Sequence, residues 1–176
     1  MSPEFDWKEK INVLSEDSSP VSESDIALFA DSNLPNRFFL QHLLQPESEP
    51  FCRKNYWRSF ARILICRGIE QIQDVKKDLI VWLQDINWPG SMEIFKFILQ
   101  NFSQFQDEIK KSIIEAVEAK DEQWFNTIWI MLYQKQKLSH VEISERISYL
   151  EDIFASESSK DIVSNLINVY FDSVIR

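Results

Sequence analysis

Apolar side chains recur at intervals of three and four along most of this chain, and that spacing leaves few options other than helix. Over residues 54–67, Trp57, Phe60, Ala61 and Leu64 fall on one face of a 3.6-residue turn. Ile72, Val75, Leu79, Leu83 and Ile86 repeat the pattern over 71–86, and Ile94, Phe95, Ile98, Leu99 and Phe102 repeat it from about Pro89. Ile109, Ile113, Ala116 and Val117 mark a further helix ending near Lys120. Asp121 is placed to cap the next one, in which residues 124–133 are apolar nearly all round, so this helix is expected to be the most buried. Ser139 with Glu142 fits a capping box before Ile143, Ile147, Leu150 and Phe154, and Ser158 or Ser159 opens a last helix through Val174. No convincing period-two strand interrupts the series. Only 2 glycines in 176 residues exclude glycine-rich phosphate loops and turn-dense β-sandwiches.

The fold class is therefore all-α, in a single domain. Paired units begin near Ile72, Phe105 and Val141, roughly the period of helical hairpins that bury their apolar faces on their neighbours. Stacked antiparallel hairpins in a right-handed array, as in HEAT and armadillo proteins, are the favoured architecture. A compact irregular bundle would produce the same helix lengths. Before this body lies a polar, acidic stretch over 15–24 containing Pro20, so residues 1–24 are expected to form a mobile acidic arm and 25–176 the helical domain. The first five residues read as a cloning remnant or as native sequence. A short helix is expected from Ser24 or Asp25 with Ile26, Leu28 and Phe29, then another from Pro35, stopped by Pro46 and Pro50.

The formal charge of −9 is spread unevenly. Residues 1–50 carry −7, residues 51–120 carry +2 and residues 121–176 carry −4. This balance opposes wholesale binding to phosphate backbones and suits a basic protein partner, although it also serves simple solubility. No stretch approaches the apolar length of a membrane helix, and the start lacks a basic segment followed by an apolar core. Cys52 and Cys66 then read as free thiols in a reducing compartment, and the expected location is the cytoplasm.

Chemistry is sparse. His42 and His140 lie in no metal-binding spacing, and the cysteines form no Cys-x-x-Cys pair. Acid pairs such as Glu115/Glu118 and Glu151/Asp152 are what any solvated helix face in an acidic chain would show. No catalytic residue, cofactor or metal site is expected. One basic concentration stands out: Arg53, Lys54, Arg58, Arg62 and Arg67, with no acid between Phe51 and Ile69. Lys54, Arg58 and Arg62, four apart, form one stripe along a helix. Such a stripe can cover apolar surface with its stems, dock on acids of a protein partner or of the chain's own N-terminal arm, or contact phosphates with Tyr56 stacking on a base. Net charge disfavours the last. Trp88, in a turn, is either a groove residue or a wedge between helices.

The segment Trp82-Leu83-Gln84-Asp85-Ile86-Asn87-Trp88-Pro89, written W-L-Q-D-x-N-W-P, resembles a bacterial family of small all-helical proteins of unknown function. The resemblance covers about residues 69–176, through Asp121-Glu122-Gln123-Trp124 and Trp129-Ile130, and departs from the family at Gly90 and in the spacing from Trp124 to Trp129. It implies a HEAT-like stack in which the motif makes a corner. Trp82 joins the buried stripe, Asp85 and Asn87 are placed to bind free N–H groups of the next helix, and Trp88 and Pro89 set the turn. The family brings no activity with it. By analogy of fold and charge, such proteins are similar to the acidic helical-repeat antidotes encoded beside bacterial toxins. The expectation is thus a non-enzymatic protein-binding module, an immunity protein with a toxin partner, contacting it through Arg58, Arg62, Trp88, Glu122 and Trp124. A nucleic-acid binder using the basic helix 53–67 is the alternative.

Overall fold

A computed structural model describes residues 7–17, 19–44, 53–137 and 141. The helices expected beyond Ser139, with Cys52 and His140, lie outside the described residues. All regular structure among the described residues is helical: α1 (Trp7–Lys10), α2 (Glu23–Ala30), α3 (Gln41–Leu44), α4 (Lys54–Arg67), α5 (Lys76–Val81), α6 (Ser91–Gln100), α7 (Phe102–Ala119) and α8 (Glu122–Lys135). Tight 3₁₀ turns over Ile11–Leu14, Asn36–Leu40, Gln73–Val75 and Trp82–Gln84 join them. No described helix is long and apolar enough to cross a membrane.

Helix α4 has the bounds that its stripe predicts and sits at the centre of the packing. It is buried on Trp57, Phe60, Ala61 and Leu64, and also on Tyr56, Ser59 and Ile63, because neighbours flank it on two sides, α2 and α6. Gly68, at φ +77°, ends it in a conformation that a β-carbon disfavours. On the other side of the molecule α5 packs on α7 and α7 on α8. Lys76 and Lys77 fasten α5 to α7 through Glu108 (3.2 Å), the Gln104 carbonyl (2.7 Å) and Glu115 (2.6 Å). Core residues from all of these elements form one continuous cluster.

The expected free arm is not what residues 7–17 and 19–24 form. Leu14 is fully buried, Ile11 and Val21 nearly so, and the edge of Trp7 meets Phe38 at 4.8 Å between centroids. Two backbone-directed contacts strap the segment to α4: the Glu16 N–H donates to the Asn55 carbonyl (2.9 Å), and Arg62 donates to the Val21 carbonyl (3.1 Å). The polar run around Pro20 hides this in the sequence, because three well-spaced apolar plugs suffice where the backbone bonds lie elsewhere. Helix α2 begins at Glu23, capped by Ser22, whose hydroxyl accepts the Asp25 N–H (3.1 Å). Leu28 faces solvent.

The C-terminal end of α2 is closed from a distance. Arg67 donates to the carbonyls of Ala30 (3.1 Å), Ser32 (3.0 Å) and Phe29 (3.4 Å), and lies 4.9 Å from the centroid of the Phe39 ring. It also donates to Asn36 Oδ1 (2.7 Å), and the Asn36 amide donates in turn to the Gln71 carbonyl (2.7 Å) and to Asp74 (2.6 Å). Burial pushes the Arg67 pKa down, and Asp74 opposes that shift.

The single helix expected over 71–86 is broken into 3₁₀, α and 3₁₀ pieces, and the next helix starts at Ser91, not at Pro89. The corner between them explains both. The Trp82 indole is fully buried and its N–H donates to the Pro89 carbonyl (3.2 Å). The Ser91 hydroxyl is within reach of the carbonyls of Trp82 (3.1 Å) and Asp85 (2.9 Å), which takes up acceptors that a continuing helix would have used. Asp85 and Asn87 do not cap α6 as expected. Asp85 Oδ1 accepts the Asn87 N–H (2.8 Å) and the Gln123 amide (3.0 Å), while Gly90, at φ +90°, occupies the cap position without a side chain. A β-carbon at Gly90 would lie 2.6 Å from Ala61 Cβ and 3.3 Å from Arg58 Cα, so α6 starts in near contact with the α4 backbone.

Helix α7 takes in Phe102, which the sequence assigns to the preceding helix, and ends at Lys120 with φ +55°. The Asp121 carboxylate then accepts the Trp124 N–H (3.0 Å), the expected cap for α8. Helix α8 is buried on most sides, with Ile128, Met131 and Leu132 fully enclosed.

Asp78 on α5 gives a pH-dependent prediction. Burial raises its carboxyl pKa above the ordinary 3.8 and Asp74 adds to that, against Arg37 and Lys77. The folded state therefore holds this proton more tightly than the unfolded chain, so the group's contribution to stability falls as pH rises through and above that range. Asp78→Asn is expected to raise stability at pH 7 relative to the parent, with the difference closing as pH approaches 3.8. Urea melts of both proteins across that interval measure it.

Candidate functional site

The basic stripe of α4 faces carboxylates of the chain itself. Arg58 Nε donates to Glu93 Oε1 of α6 at 2.6 Å, and Arg62 Nη2 to Glu23 Oε1 of α2 at 2.7 Å. Lys54 lies 5.7 Å from the centroid of the Trp57 ring. The third basic position toward the end of the helix, Arg67, turns away from the stripe to close α2. Spacing of four places Arg58 and Arg62 on one side of α4, where the strap arrives from one direction and α6 from the other.

Between strap, α4 and α6 an open groove remains. One part, about 730 Å³, is walled by Glu16, Asp17, Ser19, Pro20 and Arg58; an adjoining part of about 350 Å³ is floored by Ile26, Ile65 and Phe97 and edged by Cys66, Lys96 and Gln100. Glu23, Arg62 and Glu93 line both. The first part is charged and the second mostly apolar at its base. Asp17 is held by the Asn55 amide and the Ser15 hydroxyl, both at 2.8 Å. The Glu16 carboxylate and the Lys96 ammonium have no ion-pair partner among the described residues. Four carboxylates thus share the groove with Arg58, Arg62 and Lys96. This arrangement can bind a charged, partly apolar group. Among the described residues, no three His, Cys, Asp or Glu side chains come together as a metal site would require.

The residues singled out as partner contacts differ in exposure. Arg58 and Arg62 line the groove. Trp88 is half-buried, its ring edge-on to Trp57 at 5.4 Å. Glu122 is exposed in the first turn of α8. Trp124 is a correction: it is 3% exposed and its indole N–H donates to the Ile80 carbonyl (3.0 Å), so it is core and is not offered to a partner. This follows from the packing of α8 against α7 and against the turn at Trp82–Gln84, and agrees with the expectation that residues 124–133 form the most buried helix. Docking of the basic stripe on acids of the chain's own N-terminal segment, one of the uses expected of it, is what Arg62 and Glu23 do, whereas Glu16, Asp17 and Glu93 were not singled out as groove residues. The only signal was the charge asymmetry between residues 1–50 and 51–120.

Residues 57–169 match the family described as "Domain of unknown function (DUF5071)". The match begins inside α4, earlier than the start near residue 69 expected from the motif, and takes in the helix against which α6 is seated. No curated protein and no solved structure matches the chain.

Proposed function

The chain belongs to the DUF5071 family, whose function is unknown, and from the charge and shape of its surface we propose that it is a non-enzymatic protein-binding module. Its specific role in this reading is that of a cytoplasmic immunity protein, which neutralises a bacterial toxin by stoichiometric contact. The observation that carries the reading is the groove between strap, α4 and α6, where acids outnumber bases around an apolar floor. Acidic side chains steer a basic partner toward this face, and burial of apolar surface then holds it. The partner is inhibited by being covered.

The scaffold in this reading is a right-handed stack of helical hairpins with the W-L-Q-D-x-N-W-P segment at one corner. Supporting it, alternate helices α2, α4 and α6 pack in sequence along one side, while α5 packs on α7 along the other. The nucleic-acid alternative loses ground to the same geometry. Arg58 and Arg62 share their groove with four carboxylates in a chain of charge −9, which weakens its attraction for a phosphate backbone.

The test is a titration of purified protein with the product of the adjacent gene. An equimolar complex is expected with a dissociation constant below about 1 μM, and with an association rate that falls as salt rises. No complex at micromolar concentrations, or turnover of a small molecule by the purified chain, overturns the reading.

A further inference from the structure

The groove joins two chemically different halves, and their junction specifies what fits. At one end Glu16 stands half-buried beside Asp17, with no ion-pair partner among the described residues. At the other, half-buried Ile65 lies over the nearly enclosed Ile26 and Phe97 at the base of the 350 Å³ part, a volume that admits one large side chain. Glu23 and Glu93 stand between the two halves. The chain's own Arg62 shows the recognition mode in miniature: one guanidinium satisfies a strap carbonyl (3.1 Å) and the Glu23 carboxylate (2.7 Å) at once.

We propose that this groove takes a basic segment of the partner protein, with a Lys or Arg on Glu16 and Asp17 and a neighbouring large apolar side chain on Ile26, Ile65 and Phe97. The proposal rests on the protein-binding reading and adds to it the face used and the chemistry of the partner. Charge complementarity selects this occupant at the strap end: Arg58 and Arg62 are taken up by Glu93 and Glu23, which leaves Glu16 and Asp17 as the charges an incoming group meets there. The Arg58–Glu93 bridge is exposed, with 54% of the arginine side chain accessible, so it can open at small cost to admit a competing cation. Arg62, only 20% accessible and tied to the strap, stays in place and keeps the wall fixed.

The probes are three labelled decapeptides: alternating Arg and Leu, the same with Ser for Leu, and the same with Glu for Arg. The Arg/Leu peptide is expected to bind and to shift the backbone amide signals of Glu16, Glu23, Arg62 and Lys96. Exchanging Leu for Ser, or making Glu16→Lys in the protein, is expected to weaken binding by about tenfold each, the scale of one lost specific contact. Ile65→Glu, at a half-buried position on the floor, is expected to weaken it further, with circular dichroism confirming the fold. Equal binding of the Glu/Leu peptide, indifference to Glu16→Lys, or signal shifts confined to another face overturns the proposal. So does self-association of the chain that Ile65→Glu abolishes, since the occupant is then a second copy. The adjacent-gene product separates this proposal from the broader reading. If it binds but ignores Glu16→Lys and Ile65→Glu, the groove falls and the binding module stands. If the peptides behave as expected and the gene product does not bind, the groove stands and the toxin partner falls.

Discussion

Replacing Arg67 with Met is expected to destabilise the folded chain by about 2–4 kcal/mol, read as a fall in the urea midpoint with little change in slope. The substitution keeps most of the stem's volume and removes every donor. The carbonyls of Phe29, Ala30 and Ser32 then lose the group that closes α2, and Asn36 Oδ1 loses its partner while its amide stays tied to Gln71 and Asp74. Hydrogen bonds to a charged donor contribute about 1.5–3 kcal/mol each where solvent cannot replace them, and several are lost together. Part of that loss is offset, because burial already disfavours the Arg67 charge. Arg67→Lys is expected to recover less than half of the difference. An ammonium is a compact point donor and cannot span carbonyls on one side and Asn36 on the other as a planar guanidinium does. A loss under about 0.5 kcal/mol, the scale of an ordinary surface substitution, would show that water replaces the arginine and that α2 needs no closure from α4.

Gly90→Ala is expected to cost a similar amount, about 2–4 kcal/mol, for two separable reasons. At φ +90° an L side chain is strained wherever it points, by roughly 1–2 kcal/mol. The added methyl would also stand 2.6 Å from Ala61 Cβ, with Arg58 Cα and the Trp57 carbonyl each at 3.3 Å, so α6 must back away from α4. A double-mutant cycle with Ala61→Gly separates the two terms. The pair should be less destabilised than the sum of the singles, because the contact with Ala61 is relieved while the strain persists. Strict additivity would mean that the seating of α6 on α4 does not depend on that contact. Since Glu93 and Phe97 are carried by α6, loosening its start is also expected to widen the groove they line.

The elements that could be read from sequence are those whose neighbours merely accept what the helix offers. Helix α4 shows its stripe, Gly68 its stop and Asp121 its cap because each acts within a few residues of itself. Structure set by distant atoms was not legible. Nothing near Ile11, Leu14 or Val21 says that Asn55 and Arg62 will receive the strap's backbone groups. Nothing near Val75 or Gln84 says that a serine at position 91 will claim the carbonyls of Trp82 and Asp85. The candidate site divides in the same way. Arg58 and Arg62 stand out as an unbroken basic run, whereas the acids that answer them come from three separate segments and acquire meaning only once the strap and α6 flank α4.

The position of α4 has a consequence for how kinship and cohesion divide this chain. The stretch shared with the family opens at residue 57, partway along a helix whose other flank is upholstered by residues lying upstream of that border. Phe39 meets Phe60 at 5.6 Å, Leu14 is wholly enclosed, and Arg67 reaches back to the loop after α2. A fragment trimmed to residue 57 would leave that flank bare, greasy and adhesive. The stretch that matches the family is thus smaller than the unit that holds together.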